Sequence, residues 1–120
     1  MKEIHCNDIA QAVARLAIDA CYRLPADMVE AMRKSREVEP SPVGRTILDQ
    51  LLENAGIAAE GQIPLCQDTG ITVVFAEIGQ DVHIVGGAFE DAVNEGVRRG
   101  YTDGYLRKSC VSEPLFERKN

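Results

Sequence analysis

The stretch "AFEDAVNEGVRRGYTDGYLR", residues 88–107, decides how this chain can fold. Phe89, Ala92, Val93 and Val97 recur at helical spacing and predict a helix over Ala88 to Arg107. Gly96, Gly100 and Gly104 recur every four residues and therefore share one face of that helix. Each glycine inside a helix costs about 1 kcal/mol relative to alanine. Three of them in register predict that another backbone, or a bulky group, comes very close to this face. A helix that ends early, near Gly100, is the alternative.

Working outward, Gly86-Gly87 leads into this helix from a short β-branched run, Val82 to Val85, which reads as a strand. His83 in that strand reads as a structural or surface residue. Gly79-Gln80-Asp81 is a turn, and Ile71 to Ile78 before it predicts a second strand. Its centre, Val73-Val74-Phe75-Ala76, has no polar alternation, so both faces are expected to be covered. Further upstream lie three helices. Asn7 or Asp8 can cap the first, which runs to about Arg23 with Ile9, Val13, Leu16, Ala17, Ala20, Cys21 and Leu24 as its apolar stripe. Pro25 breaks it and opens a second, Ala26 to Arg36, with Met28, Val29 and Met32 inward. Ser41 suits the N-cap and Pro42 the first position of the third, whose inward residues are Val43, Ile47, Leu48, Leu51, Leu52 and Ala55. Gly56 reads as its C-terminal stop and 57–62 as a loop. Residues 109–120 read as extended and polar. The expected fold is α+β: N-terminal helices, a small β-sheet and a further long helix, in one domain over residues 1–120 with the character of a portion of something larger.

The bulk properties narrow the function. The chain has 120 residues, 45% of them hydrophobic, and a net charge of -6. A nucleic-acid binder needs a basic stripe to neutralise phosphates, and the scattered Lys and Arg here supply none. No window approaches the roughly 18 apolar residues of a membrane span. The N-terminus shows no basic start followed by an unbroken apolar run, so no signal peptide is expected and the cytoplasm is the expected location. Cys6, Cys21, Cys66 and Cys110 make no Cys-x-x-Cys pair, which excludes a local zinc spacing.

Only Cys66 has neighbours that point to chemistry. "IPLCQDTG", residues 63–70, gathers a thiol, an amide, a carboxylate, a hydroxyl and a glycine just before the apolar run. A cysteine thiolate can hold a soft metal or an iron-sulfur cluster. Asp68 can act as a general acid or base where its surroundings tune it, and Gln67 and Thr69 can hydrogen-bond a carboxylate. Gly70 allows a close approach or a positive φ. Asp-Thr-Gly also occurs in aspartic proteases, but the Cys-Gln prefix does not fit them.

Three stretches together, "IPLCQDTG" (63–70), "EDAVNEGVRRGYTDGYLRKS" (90–109) and "EPLFERKN" (113–120), resemble the start of the iron-sulfur class I fumarases. They are most similar to the alpha-type subunit shared with L-tartrate dehydratase. The resemblance runs from the first helix to the last residue. It implies a hydro-lyase acting on a small dicarboxylate, either fumarate/malate or tartrate/oxaloacetate, with a 4Fe-4S cluster held by three cysteines and one iron open to substrate. Cys66 matches the first cluster cysteine. Cys6, Cys21 and Cys110 match none, and the family's other two cysteines lie downstream of Asn120. Asp68 matches the acidic residue beside the substrate hydroxyl, and Gln67 a neighbouring substrate contact. Arg107 matches an arginine that clamps a substrate carboxylate, a role that bidentate pairing favours. A beta-type subunit or C-terminal domain is the implied partner, in a dimer of alpha-beta units. By itself the 120-residue chain is expected neither to hold a stable cluster nor to turn over substrate. The alternatives are a non-catalytic assembly module of the same family and a small thiol redox protein built on Cys66.

Overall fold

A computed structural model describes residues 1–66, 70–117 and 119. Along the chain the elements are β1 (Lys2–His5), α1 (Cys6–Tyr22), α2 (Ala26–Val38), α3 (Pro42–Gly61), β2 (Val82–Val85) and α4 (Phe89–Asp103). The order is α+β, as expected. β1 and β2 pair in parallel, with Lys2 opposite Val82 and His5 opposite Val85.

Each strand feeds directly into a helix, so α1 and α4 leave the sheet together and run side by side. Their contact explains the glycine ladder. A Cβ on Gly96 would lie 2.6 Å from both the Ala10 carbonyl oxygen and Val13 Cβ. On Gly100 it would lie 2.8 Å from the Ala14 carbonyl oxygen and 3.1 Å from Ala17 Cβ. The partners advance in step along both helices, which is the signature of a parallel pair. Ala10, Val13 and Ala17 are buried on α1, and Ala92, Gly96, Gly100 and Tyr101 on α4. The Tyr22 hydroxyl closes the far end by donating to the Gly104 carbonyl at 2.9 Å in a buried position.

This close approach corrects the expected stripe on α1. Backbone-to-backbone packing selects the small residues, so α1 turns its alanine face to α4 and leaves Leu16 67% exposed. The helix begins at Cys6 with His5, not Asn7 or Asp8, as its N-cap, and the His5 ring accepts a hydrogen bond from the Asn7 amide. α4 is shorter than expected. Gly104 caps it, Tyr105 takes a positive φ of 53°, and Leu106 N–H returns to the Tyr101 carbonyl at 3.1 Å. Arg107 thus leaves the helix and sits on the segment after it.

α2 and α3 form a hairpin. Ser41 caps α3 by accepting from the Gly44 amide, and Pro42 takes the first turn, as expected. Arg36 grips Asp49 across the hairpin through two bonds of 2.9 and 3.1 Å. α3 does not stop at Gly56 but continues to Gly61, where Gln62 takes the left-handed conformation. Burial of Ala58, only 1% exposed, beside Ala55 and Leu65 holds the added turn. Val43 and Ile47 lie outward, at 68% and 51% exposure, and Met28 is half exposed.

The largest departure is at Ile71–Ile78. No strand ladder forms there, and Phe75 is 93% and Val73 71% exposed, against the expectation of two covered faces. A β-strand needs a neighbour to satisfy its backbone groups, and the described residues place none beside this segment. β1, by contrast, has a single apolar residue, Ile4, and no periodic signal. It forms because β2 offers an edge. None of the helices is long and apolar enough to cross a membrane, among the described residues.

Candidate active site

The loop before 71 is anchored at both described ends. On entry, Leu65 N–H donates to the Cys21 carbonyl at 2.8 Å, tying the loop to the end of α1. Cys66 follows in an exposed turn, where its amide donates to Asn54 Oδ1 of α3 at 3.4 Å. On exit, Thr72 Oγ1 donates to the Tyr101 hydroxyl at 3.1 Å. Gln67, Asp68 and Thr69 lie outside the described residues.

Between these anchors, Gly70 adopts a φ of +78° and presses on the segment that follows α4. A Cβ there would lie 2.5 Å from the Arg107 carbonyl oxygen and 2.7 Å from Ser109 N. No L-residue side chain fits that space. The structure therefore brings together the two stretches singled out in the sequence, the cysteine loop and the "YLRKS" segment. Arg107 itself is exposed on its segment, and Cys66 is exposed on the loop. Asn54 and Tyr101, which hold the loop, carry no sequence signal of their own; their roles depend on contacts between distant elements.

A cleft of about 310 Å³ lies beside this junction, lined by Gly70, Thr72, Asn94, Arg98, Tyr101 and Lys108 among others. A wider concavity of about 500 Å³ lies against the outer face of α1, but it contains none of the residues gathered here. Near the cleft, Glu95 receives Arg99 at 2.5 Å and also Arg98. The hydrogen bond from Arg99, then that from Arg98, holds its carboxyl below the usual carboxylate value. Arg99 also reaches Asn7 Oδ1 at 3.3 Å, strapping α4 to the start of α1.

None of the four cysteines forms a disulfide. Among the described residues, no three His, Cys, Asp or Glu side chains converge as a metal site. An iron-sulfur cluster needs several cysteine ligands. The donor set thus fits one ligand, the exposed Cys66, and does not by itself fit a whole cluster.

Residues 10–120 match the family profile described as fumarate hydratase (Fumerase). The L(+)-tartrate dehydratase subunit alpha of Escherichia coli strain K12 is 24% identical over 119 residues, which cover 99% of this chain and 38% of that protein. The class I aerobic fumarate hydratase of the same strain is 37% identical over 92 residues, covering 76% of this chain and 17% of its own length. A Methanocaldococcus jannaschii protein named "Putative L(+)-tartrate dehydratase subunit alpha" is 33% identical over 105 residues, covering 86% of this chain and 36% of its own length. The chain spans less than two-fifths of these relatives. With the family profile matched over nearly all of its length, the chain belongs to the fumarate hydratase (Fumerase) family.

Proposed function

We propose that this chain is the N-terminal portion of the catalytic domain of a cytoplasmic, iron-sulfur-dependent hydro-lyase, alpha-type, that hydrates and dehydrates a small dicarboxylate. The candidate substrate pairs are fumarate/malate and tartrate/oxaloacetate. The observation that carries this reading is the apposition of Gly70 with Arg107 and Ser109, which sets the cysteine loop against the arginine segment. Family membership supports the reaction class. The relatives named alpha subunits support a beta-type subunit, or an equivalent C-terminal domain, as the partner. Four cysteines with no disulfide among them fit a reducing compartment.

In this reading Cys66 supplies one ligand to a 4Fe-4S cluster, and the other ligands come from outside this chain. When bound, the cluster supplies a Lewis acid for the hydroxyl and carboxylate oxygens. Arg107 pairs with a substrate carboxylate and, with Gln67, fixes the orientation of the diacid. Asp68 carries the proton: dehydration takes one from the carbon next to a carboxylate and expels the hydroxyl as water, and hydration reverses both. Gly70 keeps the loop close enough to the Arg107 segment for both to meet one small substrate.

The test is to express the full-length protein with its partner and load it anaerobically with iron and sulfide. It is then assayed for fumarate-to-malate and tartrate-to-oxaloacetate conversion. Turnover of one of these diacids, lost on chelation of the iron, is expected. A fully loaded protein with no activity toward either would leave the assembly-module alternative standing.

A further inference from the structure

We propose that Tyr101 is a positioning residue of this site, one that fixes the separation between the loop of Asp68 and the segment of Arg107; this rests on the hydro-lyase reading above. Tyr101 is 7% exposed in the last turn of α4, its ring packed with Ala17, Tyr22 and Leu106. Phenylalanine would fill that space equally well. The hydroxyl is what phenylalanine lacks, and a phenolic hydroxyl in an apolar setting calls for a partner. Here Thr72 Oγ1, on the exit of the loop, donates to it at 3.1 Å. The same residue's carbonyl receives Leu106 N–H at 3.1 Å, one position before Arg107.

One buried residue thus holds both halves of the site, one through its side chain and one through its backbone. Gly70 lies between the two attachments, already too close to Arg107 for any Cβ. The loop's other end is tied to α1 through Leu65 and Cys21, and α1 packs on α4. Removing the hydroxyl therefore loosens the exit of the loop at Thr72 while its entry at Leu65 stays tied, and in the sequence Asp68 falls between the two. A displaced acid-base group slows the chemical step more than it weakens binding of the diacid.

The test uses Tyr101→Phe, Thr72→Val and the double variant. In this chain, amide exchange at Gly70, Ile71 and Thr72 is expected to accelerate in Tyr101→Phe, with α2 and α3 unchanged. In the complete, cluster-loaded enzyme, kcat should fall roughly fivefold, as for one lost hydrogen bond, with KM moving less than about twofold and iron content unchanged. The double variant should be no slower than either single one, because both remove the same bond. Thr72→Ser should retain the wild-type rate. Unaltered exchange at Gly70–Thr72, a wild-type kcat in Tyr101→Phe, or losses that multiply in the double variant would each overturn the proposal. If exchange responds as expected but the loaded wild-type enzyme turns over no diacid, the tie between loop and helix stands and the hydro-lyase reading falls.

Discussion

Cys66 and Asp68 stand two apart in the sequence, and the proposed function gives them different tasks, the thiol as a cluster ligand and the carboxylate as a proton carrier. Their substitutions should therefore fail differently. In the complete enzyme, Cys66→Ser is expected to lose cluster iron and activity together. Asp68→Asn should keep iron content and substrate binding but slow turnover by ~10²-fold or more, the loss of an acid-base group. Paired measurements of iron and rate on the two variants check this, and a near-normal rate in Asp68→Asn would reduce the carboxylate to a turn residue. Arg107 poses a different question, because it sits exposed on an irregular segment and not on the helix that its sequence suggests. If it clamps a carboxylate, Arg107→Lys keeps the charge and loses the fork. That should cost about 2–5 kcal/mol, or roughly 30-fold or more in kcat/KM. Unchanged kinetics in a folded variant would return it to the protein surface. Cys66 and Arg107 stand out in the sequence as candidates through motif and resemblance; the φ of +78° at Gly70 and the carbonyl that crowds it do not, because both arise from a segment nearly 40 positions away.

At the scale of the elements, the glycines of α4 behave as the sequence implies and Gly56 of α3 does not. Gly96 and Gly100 face fixed backbone and Cβ atoms of α1, which cannot swing aside as a long side chain can. Gly96→Ala is expected to destabilise the chain by about 1–3 kcal/mol through overpacking, outweighing the roughly 1 kcal/mol gained in helix propensity. Gly56 has nothing within 4 Å of its would-be Cβ. Gly56→Ala should therefore stabilise by roughly 0.5–1 kcal/mol. Denaturant titration of both variants checks the opposite signs. The strap at Glu95 adds a pH dependence. Its carboxyl is held below its usual value of 4.5 by Arg99 and Arg98, so its contribution is present above about that pH and is lost as the pH falls through its lower folded value. The pair is partly exposed and screened, so the effect is small and weakens with salt. Denaturation midpoints measured across that range should fall less steeply in Glu95→Gln than in wild type.

At the scale of the whole molecule, the chain is open. Its radius of gyration is 18.2 Å, where a compact domain of this length has about 14 Å. Its accessible surface is 8834 Å², where a compact monomer of this mass shows roughly 6,400 Å². Among the described residues no large side chain is fully buried, and Ile71, Val73, Phe75, Leu115 and Phe116 lie largely in solvent. Among the described residues no three His, Cys, Asp or Glu side chains converge as a metal site. Anaerobic iron-sulfide loading of the 120-residue chain alone is accordingly expected to leave little stable cluster absorbance, checked by spectrum and iron count after desalting. A stoichiometric, stable cluster on this chain would refute that. Local chemistry determined the helices, the Ser41-Pro42 start of α3, the strand at Val82–Val85 and the small-residue face of α4, because spacing, caps and glycines act over a few residues. Which face of α1 meets that glycine ladder, the pairing of Lys2–His5 with β2 and the solvent exposure of Ile71–Ile78 were decided only by the tertiary structure. So was the meeting of Gly70 with Arg107. Each depends on whether a distant segment is present to supply a hydrogen-bond partner or a surface to pack on, and no local window of sequence contains that segment.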